Sequence, residues 1–261
     1  MSVRIRAAVA WEAGAKLSIE EFDLDDPRDD EILVRVEATG VCHTDESSRL
    51  GLLPVVYPII LGHEGSGTVE AAGQDVTRVR PGDKVLFTPD YCGTCEQCVL
   101  GHTPYCERVI PVTFTGTRPD GSPRAHAAGG RPVRASFFGQ SSFATHSLVT
   151  ERNIVPVPRD APLHYMAAVN SAAKHGTISV ITSSGKDVTI PPGALLLTGR
   201  TLRGTMGGHI NPTVFIPRLL DLHARGRFPV DRLVKNYPFA EVNTAIADSL
   251  SGATIKPVLT F

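Results

Sequence analysis

A cysteine, a histidine and an aspartate stand almost side by side in GVCHTD, residues 40–45, and LGHE follows at 61–64. Cys42 and His63 are residue types that ligate transition metals. A metal-bound imidazole generally has a carboxylate or carbonyl behind it that fixes its tautomer; Asp45 and Glu64 are placed to supply one. A zinc held by a few protein ligands keeps a position for substrate and acts as a Lewis acid. Taken one at a time, the same residues have a plainer reading. A buried cysteine behaves as a small apolar group, and a lone histidine as a hydrogen-bonded core residue. Both readings stay open at this point.

A second constellation is more specific. Cys92, Cys95, Cys98 and Cys106 have the spacing C-x2-C-x2-C-x7-C. Two-residue gaps let successive thiolates turn onto one ion, and the longer loop returns the fourth to complete a tetrahedron. A closed Cys₄ shell leaves no place for substrate, so such a site is structural. An iron–sulfur cluster is the competing occupant, since it also takes four thiolates. The chain has 5 cysteines and none after Cys106, a metal-site distribution rather than a disulfide framework.

Short strands broken by Gly and Pro must position these groups. Residues 31–36, 65–69 and 83–87 mix alternation with β-branched side chains, and Arg80-Pro81-Gly82-Asp83 supplies a turn. The first 160 residues therefore predict a β-rich, barrel-like domain. Residues 116–134, GTRPDGSPRAHAAGGRPVR, predict an exposed loop with little to bury. A basic ligand-binding arm is the alternative there, but no aromatic residue interleaves the charges. The texture changes near Pro162. Residues 165–175 predict a helix with Gly176 past its end, and 177–182 and 194–198 predict strands. An amphipathic helix over 215–224 closes at Arg225-Gly226, another spans 239–249, and 254–261 form a last strand. No internal repeat is visible.

Composition excludes several function classes. The chain has 261 residues, 42% hydrophobic and 20% charged, with a formal net charge of −1. That balance gives no electrostatic case for nucleic acid or an anionic membrane as partner. The opening MSVRIRAAVAWEAGAKL lacks an unbroken apolar stretch of the secretory kind. No apolar run approaches the roughly 18–20 residues of a membrane span. A cytoplasmic location is expected.

The order GVCHTD, GHEGSGTVEAAGQDVTRVRPGDKV, CGTCEQCVLGHTPYC and SSFATHSLV resembles the zinc-dependent alcohol dehydrogenases of the medium-chain type. The aryl-alcohol and glutathione-dependent formaldehyde dehydrogenase branches are the nearest. The resemblance resumes at GALLLTGRTLRGTMGG and runs through YPFAEVNTAIADSLSGATIKPVLTF to the last residue. It implies NAD-linked oxidation of a primary alcohol to an aldehyde, with an aryl alcohol as one option. It also implies that Cys42 and His63 bind catalytic zinc, while Cys92, Cys95, Cys98 and Cys106 hold structural zinc. Thr44 would meet the substrate hydroxyl and begin a proton relay. Asp45 would orient His63, Glu64 would stand behind the metal, and His43 and Lys256 would lie at the cofactor pyrophosphate. Ser47 stands at or near the place of a relay histidine.

One departure is large. The family carries its third catalytic zinc ligand in a Gly-Cys-Gly stretch, followed by a Rossmann domain with G-x-G-x-x-G feeding a helix. Between Pro162 and Gly193 there is room for one helix and one strand, against roughly 30 residues for each βαβ unit. The expected fold is mixed α/β and β-rich: a GroES-like β-barrel catalytic domain with a remnant of a Rossmann domain, one helix and one or two strands. The expected boundaries are 1–161 for the zinc-binding catalytic domain, 162–193 for the remnant and 194–261 for the C-terminal part returning to the catalytic domain. The third ligand would go with the missing part, leaving His164 or Glu64 as replacements. On this reading NAD-dependent turnover is weak or absent, and a non-catalytic zinc-binding remnant, or a dimerisation module forming a homodimer, is the alternative. A zinc-assisted reaction without NAD has no supporting nucleophile–base arrangement.

Overall fold

In a computed structural model, residues 2–158, 178–180, 202–204 and 210–261 are described. In chain order, β1 (Val3–Ala10), β2 (Ser18–Leu24) and β3 (Glu31–Gly40) precede a short helix, α1 (His43–Arg49). β4 (Ile59–Ile60), β5 (Gly65–Ala72) and β6 (Lys84–Phe87) follow. A cysteine lobe holds α2 (Glu96–Val99) and leads to α3 (Val109–Thr113). Next come β7 (Ala125–His126), β8 (Pro132–Val133), β9 (His146–Thr150) and β10 (Ile154–Val157). β11 (Ile178–Val180) and β12 (Leu202–Gly204) pair with each other in parallel. The chain closes with α4 (Pro212–Ala224), β13 (Val234–Pro238), α5 (Val242–Ser251) and β14 (Lys256–Thr260).

Two sheets build the barrel-like body. One has the order β4-β1-β2-β7-β8, the other β10-β6-β5-β3-β14-β13 with β9 also on β3. Residues 143–145 stitch them together: Ala8 N donates to Phe143 O, Thr145 N to Arg6 O and Val36 N to Thr145 O. β3 is the shared spine. Its first half pairs with β9 and its end with β14, while β5 takes the other edge. Such a strand is buried along nearly its whole length, as residues 31–40 are, and its run of Ile, Leu and Val suits that position.

The apolar face of α5, through Val242, Ala245 and Ile246, joins Phe22, Phe137, Phe143 and Leu259 in the main core. Gly252, at φ +76, ends that helix in the left-handed conformation glycine tolerates. α4 starts earlier than its sequence pattern, because Asn211 caps it by accepting from Thr213 N and Pro212 suits the first turn. Its Ile216 and Leu219 pack on Leu86 and Val155.

The expectation for residues 116–134 needs correction. Arg118 and Arg124 are 4% and 2% exposed, and the segment contributes β7, β8 and the buried Ala125 and Val133. Both guanidiniums converge on buried Glu31. Arg118 Nε reaches Glu31 Oε1 at 2.8 Å and Arg124 Nε reaches it at 3.0 Å. Charged residues are buried only when paired and hydrogen-bonded, and a single sequence does not display the partner. The predicted helix over 165–175, the strand over 194–198 and His164 lie outside the described residues.

Candidate metal and catalytic site

β3 ends at Gly40 and the chain turns at once into α1, with Cys42 as its N-cap. The Asp45 carboxylate is fully buried and fixes three groups. Oδ2 accepts from Cys42 N at 3.0 Å; Oδ1 accepts from Gly62 N at 3.0 Å and meets His63 Nδ1 at 3.0 Å. With Nδ1 engaged, His63 keeps Nε2 for a ligand. Gly62, at φ +89, is required here, because a Cβ would stand 2.4 Å from Phe143 N.

Cys42, His63 and Glu64 each place a ligand atom so that all three lie within 4.8 Å of one another. Thr44 Oγ1 is 3.6 Å from Cys42 Sγ. The Lys256 ammonium forms an ion pair with Glu64 Oε2, so two residues singled out for separate roles meet. Gly40 makes room for that pair: a Cβ there would fall 2.1 Å from Glu64 Oε2 and 3.1 Å from Lys256 Cε. His43 is exposed, and Ser47 is buried in α1.

The electrostatics favour a cation. Burial works against charge on His63, yet Asp45's carboxylate and the Cys42 sulfur hold the imidazole well above its usual value. Burial likewise pushes the Cys42 thiol up, and His63 brings it below its usual value. A metal replaces the protons that hold such a cluster together. The soft sulfur, the imidazole and the carboxylate form a donor set suited to zinc.

An aromatic wall that the sequence did not reveal backs His63. Phe138 stacks on the imidazole with centroids 4.6 Å apart and planes at 28°, and Phe137 meets it edge-on at 5.7 Å. Phe114 packs edge-on against Phe138 at 5.5 Å. The adjacent pair of phenylalanines before Gly139 was the only cue, and it reads equally as core.

The cysteine lobe brings together the four residues that spacing predicted. Their sulfurs all lie within 4.8 Å of one another, and Cys92 Sγ to Cys98 Sγ is 3.8 Å. One ion bound at about 2.3 Å by four tetrahedral thiolates separates them by roughly 3.8 Å. A cluster with several irons between its thiolates would need them farther apart, so a single zinc fits this shell. Cys106 Sγ accepts from Cys92 N, and Cys92 Sγ from Cys95 N at 3.4 Å. The Cys92 thiol is lowered to about 6, chiefly by the Thr94 backbone N–H, while burial pushes Cys98 up to about 12. A bound cation would deprotonate all four.

Known proteins carry the same architecture. Residues 28–159 match the family described as alcohol dehydrogenase GroES-like domain. Geraniol dehydrogenase of Castellaniella defragrans is 31% identical over an aligned span of 368 residues, covering 99% of this chain and 98% of that one. S-(hydroxymethyl)glutathione dehydrogenase of Paracoccus denitrificans is 36% identical over 189 residues, 71% of this chain but 50% of its own length. The chain thus spans about half of that relative. The crystal structure of benzyl alcohol dehydrogenase from Acinetobacter calcoaceticus superposes with a TM-score of 0.88 at 28% identity, covering 99% of both chains. This chain belongs to the zinc-dependent medium-chain alcohol dehydrogenase family.

Proposed function

We propose that the chain is a zinc-dependent oxidoreductase that converts a small primary alcohol, of the allylic or aryl type, to its aldehyde with NAD as hydride acceptor. The observation that carries this reading is the convergence of Cys42, His63 and Glu64 in front of buried Asp45. Two of the relatives, a geraniol dehydrogenase and a benzyl alcohol dehydrogenase, support the substrate class. So does the apolar wall of Phe114, Phe137 and Phe138 beside the metal ligands.

Zinc bound at this triad would supply Lewis-acid polarisation of the alcohol oxygen. The chain's own residues do the rest. Asp45 holds the His63 tautomer. Thr44, beside Cys42 Sγ, is the hydroxyl placed to take the substrate proton outward. The phenylalanines exclude water from the reacting carbon. Lys256 restrains Glu64, whose carboxylate would take the place of a third ligand. His43, exposed at the start of α1, would meet the cofactor phosphates.

We infer as well that the cofactor domain is shortened to a remnant near residues 162–193. Gaps account for at least 107 positions of the geraniol dehydrogenase alignment, 368 less 261. Turnover with NAD is accordingly expected to be slow. The test is zinc stoichiometry by elemental analysis, with NADH titration by fluorescence and assays on geraniol and benzyl alcohol. Two zincs per chain, saturable NADH binding and aldehyde formation are expected. One zinc without NADH binding would end the enzyme reading and leave only the Cys₄ site.

A further inference from the structure

We infer that Arg124 is a positioning residue for the metal site: it fixes the turn that presses Phe138 onto His63. This rests on the reading of His63 as a metal ligand.

Arg124 lies in the interior, 2% exposed, far in sequence from every ligand. The two hydrogens of its Nη1 are shared among Ser136 Oγ at 2.6 Å, Gly139 O at 3.1 Å and Leu148 O at 3.0 Å, while Nε donates to Glu31. Ser136 and Gly139 bracket Phe137 and Phe138, the two rings packed on the imidazole. One guanidinium therefore ties both ends of that turn to β3 and β9, the rigid spine of the larger sheet.

The turn needs such ties. Phe138 adopts φ +53, the left-handed region that is unfavourable for a side-chain-bearing residue and persists only where the surroundings over-determine it. Arg124 provides two of the fixing bonds, Asn153 Nδ2 a third to Gly139 O at 3.1 Å, and Ser141 Oγ a fourth from Phe137 N at 2.8 Å. Arg118 makes an instructive contrast. It shares Glu31 and is equally buried, but its other bonds go to Asp25 and Pro123 O, away from the turn. Loss of either arginine breaks the buried ion network; only loss of Arg124 releases Phe138.

The test compares R124M with R118M, taking F138A as the reference for an unstacked His63. In the metal-free protein, the His63 ring protons beneath Phe138 should resonate upfield. R118M should keep that position. R124M should move downfield toward F138A, and S136A part of the way. In the cobalt-substituted protein, affinity at the Cys42–His63 site should fall about 10–100-fold in R124M, the range for groups that orient a metal-bound histidine, and stay unchanged in R118M. A His63 resonance in R124M that matches R118M overturns the inference. If R124M does not fold, S136A and R124K decide it, and an unshifted His63 in both overturns it. Failure of the wild-type protein to bind a second cobalt would instead overturn the metal reading, with the resonance comparison still deciding the role of Arg124.

Discussion

At the residue scale, Asp45 carries more of the site than any other side chain, because one carboxylate serves the α1 N-terminus, Gly62 N and His63 Nδ1 together. Asp45→Asn keeps the shape but cannot accept at all three places with full charge. Zinc affinity at the Cys42–His63 site should fall about 10–100-fold, measured by competition with a chelator, while the Cys₄ zinc is retained. Gly40→Ala tests Glu64 separately. The new Cβ would stand 2.1 Å from Glu64 Oε2, so the carboxylate must shift from the position in which it meets Cys42 and His63. The expected outcome is loss of the second zinc at sub-stoichiometric chelator. Unchanged affinity would show that Glu64 is not a ligand. These geometric relations also favour the enzyme reading over a non-catalytic remnant, since a drifting site has no reason to keep a buried carboxylate aligned with an imidazole.

At the element scale, the cysteine lobe is a short excursion with little core of its own. Val99 and Leu100 in α2 and the residue after it are 74% and 60% exposed, so the ion rather than apolar burial must hold the lobe together. Cys106→Ser should remove one zinc per chain and make the segment between Cys92 and Cys106 the first site of limited proteolysis. The barrel-like body, whose core does not include the lobe, should keep its melting transition. Simultaneous collapse of both would place the lobe inside the folding unit of the barrel.

At the scale of the molecule, the Glu31–Arg118–Arg124 network joins the start of β3 to the segment before β7. Burial alone would raise the Glu31 carboxyl, but the Arg118 hydrogen bond and the Arg124 charge bring it below its usual value. A depressed folded value means that its stabilisation is fully present above the ordinary carboxylate range, about 4.3 for glutamate. It is lost as pH falls through the lower, folded value. Glu31→Gln should destabilise the fold by about 3–5 kcal/mol at neutral pH, the cost of stranding a buried charge, and should flatten the acid limb of the stability curve. Urea midpoints between acid and neutral pH check both. A neutral-pH midpoint equal to wild type would mean that the two arginines find other partners.

Ligand chemistry was legible from the chain alone where it is local. The four cysteines lie close in sequence, so spacing constrains their geometry, and the GVCHTD and LGHE motifs contain Cys42, His63 and Glu64, whose ligand atoms the fold brings together, and the aspartate behind them. The strands of the barrel were legible for the same reason, since alternation along 31–36 or 83–87 is a short-range property. What only the tertiary structure decided involves partners distant in sequence. Residues 116–134 read as solvent-facing because Arg and Gly next to Pro resemble a loop, and nothing nearby reveals that Glu31 waits to neutralise two of those arginines. The meeting of Lys256 with Glu64, and of Phe138 with His63, depends on strands brought together by long-range pairing. A single sequence records the types of such residues, whereas their contacts are fixed only when β3, β9 and β14 are assembled side by side.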